Sequence, residues 1–253
     1  MIRFAVLSMP RTGSTMVVEK LGSHPDVTCY LALFSKREFF ATDHPPTRAL
    51  RDALSGWDVW EDRHEKYAAF MADVVAGTPP CKAMGIKQHI NGPKAATQGL
   101  LADPDVRLIS LVRRNHLATY SSAQIALQKG WNNRRTIAAR EQPKVAFDAG
   151  QFEKHICARE HHDRLWSGLI AERGGKEIDY ARARTADGAA ELWEFIGVDP
   201  ALGGDTTLVK NNSEDFLQRF ENPGDVQDWL EAHDRTDWLE PEIQPPDLGG
   251  RVQ

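Results

Sequence analysis

The stretch Phe4 to Gly22, FAVLSMPRTGSTMVVEKLG, constrains the fold of this chain more than any other. Phe4-Ala5-Val6-Leu7 is a short apolar run, the pattern of a strand buried on both faces. Pro10 ends it, and Gly13 permits a left-handed or closely approached backbone. Met16, Val17 and Leu21 then open a helical pattern, with Gly22 as its expected C-cap. A strand that passes through a glycine-containing loop into a helix aims several backbone N–H groups and a positive helix end at one point. Such a point binds an anion, most often a phosphate. Arg11 adds a fixed cation, and Thr12, Ser14 and Thr15 add hydroxyl donors. The loop departs from G-x-x-x-x-G-K-[ST], because Ser14 stands where that motif has its Lys. Taken alone, the hexapeptide also fits an ordinary strand-to-helix turn with an exposed Arg.

Further along, Val27–Leu33 reads as a strand, and 48–75 as helical with interruptions at Gly56 and around Trp57 and Trp60. Ala83–Lys87 is a short strand candidate leading into Gln88-His89. Val106–Val112 is the best second buried strand, followed by a helix from about His116 to Lys129. Trp131–Gly150 reads as a long polar loop or lid, then a longer helix runs to Gly174-Gly175. Lys176–Ala181 is another strand and Ala189–Ile196 a helix capped by Gly197. Two short helices are expected near 214–220 and 225–233. Alternating strands and helices predict an α/β three-layer sandwich around a central parallel sheet. Ligands of such sheets sit at the carboxyl ends of the strands. Residues 11–15, 87–89 and 113–115 each directly follow a predicted strand, which places all three clusters on one edge.

The first loop resembles the 5′-phosphosulfate loop of sulfotransferases that use 3′-phosphoadenosine 5′-phosphosulfate (PAPS), roughly P-[KR]-x-G-[ST]-T. Pro10, Arg11, Gly13, Ser14 and Thr15 match it. That family also carries a 3′-phosphate site written as a strand, an Arg, and a Ser eight residues on, and LVRRNHLATYS matches it with Arg113 and Ser121. The resemblance spans Phe4 to about Leu239 and is sharp at these two loops. It implies a P-loop-NTPase-like sulfotransferase fold and PAPS as donor, with no metal. It assigns Arg11, Thr12, Gly13, Ser14, Thr15 and Met16 to the 5′-phosphosulfate and Arg113 and Ser121 to the 3′-phosphate, the group that PAPS has and ATP lacks. Lys87-Gln88-His89 is similar to the family's K-[TS]-H triplet, which makes Lys87 a donor to the bridging oxygen and His89 the base. Glu38 is the alternative base. Tyr180 stands where the family has Y-E-D-L and is assigned to the adenine, although Ala181-Arg182 replaces the acidic pair. The Arg-Lys-Gly loop of many cytosolic members is not visible, and Arg114 is a candidate to complete the 3′-phosphate pocket.

The acceptor, a hydroxyl or amine of a small molecule or carbohydrate, would meet Tyr30–Trp60 and Trp131–Phe147. Trp57, Trp60 and Trp131 are candidates for stacking on it, and Arg134, Arg135 and Arg140 for meeting an acidic group. Two other readings stay open at this point: a small-molecule kinase with a degenerate phosphate loop, and a nucleotide-binding module without catalysis. The kinase lacks both its Lys and an evident Mg²⁺-binding Asp.

Composition narrows the class. At 253 residues a single domain, about 1–240, is expected, with 241–253 a flexible tail rich in Pro and Gly. A net charge of −5 argues against a general nucleic-acid binder. No apolar run reaches the length of a membrane span, and the N-terminus has no secretory signal pattern. Three widely spaced cysteines favour free thiols in a reducing cytoplasm. A homodimer is left open.

Overall fold

The computed structural model describes residues 1–31, 33–35, 44–54, 56–91, 94–129, 143–206 and 215–242. The chain divides into two compact units. One comprises Met1–Val112 and Leu165–Thr206, the other Arg113–Arg164 and the described part of Thr207–Gln253.

The first unit is built on a five-stranded sheet in the order β2-β3-β1-β4-β5. The strands are β1 (Ile2–Ser8), β2 (Val27–Tyr30), β3 (Ala83–His89), β4 (Val106–Val112) and β5 (Lys176–Asp179), and every pairing is parallel. β1 is central. Its register pairs Val6 with Lys87 and Ser8 with His89 on one side, and Ser8 with Leu111 on the other. In the strand order the strand that follows β1 in sequence lies on one side of the β1–β4 pair and the strand that follows β4 lies on the other, so the topological switch point is at the carboxyl ends of β1 and β4.

Period-two alternation along β1 divides the core. Phe4 and Val6 face helix α1 (Ser14–Gly22), through Val17, Val18 and Leu21, and Leu192 and Trp193 of the later helix α9 (Ala186–Phe195). Ala5 and Leu7 face the opposite layer. There they meet α2 (Pro45–Ala53), α4 (Tyr67–Ala76) and α5 (Lys94–Ala102), through Leu50, Phe70 and Leu100, with α3 (Trp60–Glu65) between α2 and α4. This is the three-layer α/β sandwich. Gly85 makes room in the sheet, since a Cβ there would come 2.1 Å from Cζ of Phe4.

Four expectations need correction. β2 stops at Tyr30 rather than reaching Leu33. Gly22 is the last helical residue of α1, and Ser23 is the cap, donating its N–H to the Lys20 carbonyl at 3.2 Å while the His24 N–H goes to that of Leu21. β5 stops at Asp179, whose carboxylate accepts the Ala181 N–H at 2.8 Å. That cap turns Tyr180 into the first residue of a short helix, α8 (Tyr180–Arg184). Of the two expected C-terminal helices, the first is only a 3₁₀ turn, Leu217–Arg219.

The second unit contains α6 (His116–Lys129), the first part of α7 (Ala149–Glu172) and α10 (Pro223–Ala232), with a 3₁₀ turn at Thr236–Leu239. Its core is aromatic: Tyr120, Phe147, Phe152, Phe216, Phe220 and Trp238. Rings meet edge to face, as Phe152 does with Trp229 at 4.8 Å between centroids. Of the expected lid, residues 130–142 lie outside the described residues, while Val145 forms a parallel bridge with Phe220. Of the expected tail, only Pro241 and Glu242 are described.

Candidate functional site

In the first unit, β1 ends at Ser8 and the backbone turns through two left-handed residues, Arg11 at φ 67° and Gly13 at φ 84°. For glycine that conformation carries no steric penalty, whereas for Arg11 it costs about 1–2 kcal/mol. Thr12 lies between them, fully buried, and its hydroxyl donates to the Met9 carbonyl at 2.8 Å, closing the turn. Gly13 is required for a second reason. A Cβ there would sit 2.2 Å from Cε2 of Tyr180.

α1 starts immediately after Gly13, with no side-chain cap and no acidic residue in its first turn. The positive end of the helix is therefore not neutralised by its own first turn. Ser14 is buried and Thr15 partly so. Met16 is partly buried against the core on the α1 face.

Lys87 reaches the same turn from β3. It is 5% exposed, and its Nζ donates to Oγ1 of Thr15 at 3.1 Å. The register explains the meeting: Lys87 pairs with Val6, and both point to the α1 face. His89 lies two residues further along the same face, paired with Ser8. Its Nδ1 is 3.3 Å from the Ser8 carbonyl. With the proton on Nδ1 donated to that carbonyl, Nε2 carries the lone pair that a base needs. Ser8 adds a residue the sequence reading missed. It is 2% exposed, and among the described residues its Oγ has no hydrogen-bond partner. A polar residue ending an apolar strand just before a phosphate-type loop was the available signal.

Tyr180 is 6% exposed, with its ring packed on Gly13 and the Arg184 guanidinium 5.6 Å from the ring centroid. The ring thus fixes the shape of the loop. Trp57 and Trp60 have structural partners: Trp57 Nε1 donates to Asp73 at 2.7 Å and Trp60 Nε1 to the Phe34 carbonyl at 2.9 Å. Glu38, Trp131, Arg134, Arg135 and Arg140 lie outside the described residues.

In the second unit, Arg113 is 6% exposed and holds Glu242 as a two-pronged ion pair. Nε donates to Oε1 at 2.7 Å, and Nη2 donates to Oε2. Ser121 is fully buried on α6. Its Oγ donates to the Leu117 carbonyl at 2.9 Å and accepts from Nη1 of Arg219 at 3.0 Å. Arg219 is the second residue that sequence reasoning missed. It is 3% exposed and sits 4.3 Å over the Phe216 ring. The signal was an arginine set among Phe216, Leu217 and Phe220, a buried charge that needs an anionic or hydroxyl partner.

Asn115 caps α6, its Oδ1 accepting the Ala118 N–H at 2.9 Å, and its Nδ2 donates to the Trp238 carbonyl at 2.9 Å. Behind it, burial and then the Arg159 charge lower the His116 pKa to about 4 and that of His155 to about 3. Both imidazoles are neutral near pH 7, and His155 shares a 2.9 Å hydrogen bond with the Thr119 hydroxyl. Arg159, 3% exposed, adds positive potential next to Arg113.

Among the described residues, no group of three His, Cys, Asp or Glu side chains is placed to hold a metal. None of the described helices is long and apolar enough to cross a membrane.

No family model matches the sequence, and no curated protein matches it. Several solved structures are similar. A sulfotransferase from Alicyclobacillus acidocaldarius is 17% identical, with 95% of this chain and 99% of that one covered and a TM-score of 0.49. The sulfotransferase domain from the curacin biosynthetic pathway is 15% identical, covering 83% and 80% of the two chains at a TM-score of 0.46. Retinol dehydratase in a complex with retinol and PAP is 16% identical, covering 99% and 83% at 0.29. Likeness at this level does not name a substrate, so the residues of this chain carry the functional reading.

Proposed function

We propose that the chain is a PAPS-dependent sulfotransferase. The observation that carries this reading is the convergence on one turn of an uncapped helix end, two left-handed residues and the buried Lys87, at the carboxyl ends of parallel strands. These are donors for a phosphate-type oxyanion, and the side-chain cation comes from a neighbouring strand rather than from the loop's own Lys position.

Bound PAPS supplies the sulfuryl group, which passes by in-line displacement to a hydroxyl or amine of a small-molecule or carbohydrate acceptor. Negative charge then develops on the leaving 5′-phosphate oxygen. Lys87, Arg11, Ser14, Thr15 and the loop amides stabilise it, each such donor being worth about 10²–10³ in rate. His89 takes the acceptor's proton through Nε2, a contribution of about 10²–10⁴. Arg113 and Ser121 hold the 3′-phosphate, and Arg219, which donates to the Ser121 hydroxyl, joins them. A guanidinium fork suits a phosphate, since two parallel N–H groups meet two of its oxygens. Tyr180, 6% exposed, acts by shaping the loop that meets the nucleotide.

The test is transfer of labelled sulfate from PAPS across a panel of phenols, alcohols, amines and sugars. The wild-type chain should sulfate at least one class, and Arg11→Ala should lose the activity while its circular dichroism is unchanged. Near-normal turnover by Arg11→Ala would remove the phosphosulfate role from the loop.

A further inference from the structure

We propose that Glu242 is an internal stand-in for the nucleotide's 3′-phosphate: its carboxylate occupies the Arg113 fork and must leave before that phosphate can bind. The inference rests on the assignment of Arg113 to the 3′-phosphate.

The geometry is that of a ligand contact. Nε and Nη2 of Arg113 each meet one oxygen of the carboxylate, the two-pronged arrangement a phosphate also accepts. Both side chains are nearly closed off, Arg113 at 8% and Glu242 at 7% side-chain exposure. A buried ion pair broken on one side leaves an uncompensated charge, which is strongly unfavourable. An Arg113 fork left without an anion, with Arg159 adding to its positive potential, is therefore a disfavoured minor state. A dianionic phosphate answers that requirement better than a carboxylate does.

The chain delivers Glu242 on a short leash. Trp238 is fixed in the second unit's core, its ring 5.3 Å from His116 and its carbonyl held by Asn115. Three residues, Leu239, Glu240 and Pro241, separate that anchor from Glu242. Release of the carboxylate needs rotation over these residues and leaves the anchor in place. Arg113 and Asn115 belong to the same turn before α6, so one turn holds both the anchor and the end of the leash.

The consequence is a tax on affinity. If the self-occupied state holds about 90% of the molecules, the apparent Kd for a 3′-phosphorylated nucleotide is raised about tenfold, because only the remaining fraction is competent. A nucleotide without that phosphate has no reason to displace Glu242.

The test is calorimetric titration of the wild-type chain and of Glu242→Gln with adenosine 3′,5′-bisphosphate and with 5′-AMP. Glu242→Gln should bind the bisphosphate about tenfold more tightly than wild type, with 5′-AMP changed less than twofold. Weaker or unchanged bisphosphate binding would overturn the inference, because Glu242 would then position Arg113 rather than compete for it. A second measurement uses the wild-type chain alone, should Glu242→Gln fold poorly. Hydrogen exchange at the Glu242 amide should speed up with saturating bisphosphate and not with 5′-AMP, and slower or unchanged exchange counts against release. Failure of both proteins to bind the bisphosphate would overturn the sulfotransferase reading, and the inference with it.

Discussion

Gly13→Ala should damage the chain for two separable reasons. The first is conformational: residue 13 sits at φ 84°, where an L side chain costs about 1–2 kcal/mol. The second is steric. The new methyl would lie 2.2 Å from Cε2 and 2.6 Å from Cδ2 of Tyr180, far inside contact distance. Tyr180 is 6% exposed and belongs to the core on the α1 face, so its ring cannot swing into solvent. Overpacking of this kind costs about 1–3 kcal/mol. Together the two effects predict a loss of about 2–5 kcal/mol, a large part of the ~5–15 kcal/mol that holds a domain folded. Urea unfolding followed by circular dichroism measures it, and repeating the substitution in a Tyr180→Ala background separates the causes. There the steric part vanishes, so Gly13→Ala should cost only about 1–2 kcal/mol, a coupling of about 1–3 kcal/mol between the sites. Equal costs in the two backgrounds, or a total below about 0.5 kcal/mol, would refute the packing of Tyr180 on this loop.

Lys87→Met removes the cation donated to Thr15 while keeping the length of the side chain, and should lower kcat about 10²–10³-fold with the fold intact, as single-turnover transfer from PAPS would show. His89→Ala should slow the chemical step about 10²–10⁴-fold with nucleotide binding unchanged, whereas the same loss in Glu38→Ala and not in His89→Ala would move the base to Glu38. Acid should destabilise the second unit through its buried imidazoles. The folded pKa of His116 is about 4 against 6.5 unperturbed, so the unfolded chain binds the extra proton between those values. Stability is then full above about pH 6.5 and falls by roughly 3 kcal/mol as pH drops to about 4. His155, lowered to about 3, acts in the same direction, and His155→Gln should flatten the urea midpoint measured from pH 7 to 4.5. A His155→Gln profile as steep as wild type would contradict this.

What was legible in the sequence is what local pattern dictates. Val106–Val112 and His116–Lys129 were read with their observed bounds, because Asp103-Pro104-Asp105 and the arginines after Val112 punctuate the mainly apolar segment VRLISLV. Gly197 was read as a cap and has φ 79°. Tyr180 was misread as a strand residue because Lys176-Glu177-Ile178-Asp179-Tyr180 alternates like a strand. The Asp179 cap decides the matter, and it is a choice between two local structures that period-two patterning cannot make. The contacts that give the candidate site its chemistry were not legible. Lys87 meets Thr15 across 72 residues, Arg219 meets Ser121 across 98, and Arg113 meets Glu242 across 129. Each depends on sheet register or chain return, which no local pattern encodes. Glu242 lay in a stretch whose Pro and Gly content reads as tail, and nothing in its neighbours marks a carboxylate that folds back onto an arginine.

The proposed donor site differs from an ordinary nucleotide site in needing a phosphate on the 3′ side of the nucleotide as well as on its 5′ side. Calorimetric titration with adenosine 3′,5′-bisphosphate and with ATP, for wild type and for the Arg113→Ala/Ser121→Ala double variant, decides whether it does. Wild type should prefer the bisphosphate by at least about tenfold, some 1.4 kcal/mol, and the double variant should lose that preference. A wild-type chain that binds ATP as tightly as the bisphosphate, or a double variant that keeps the preference, would contradict it.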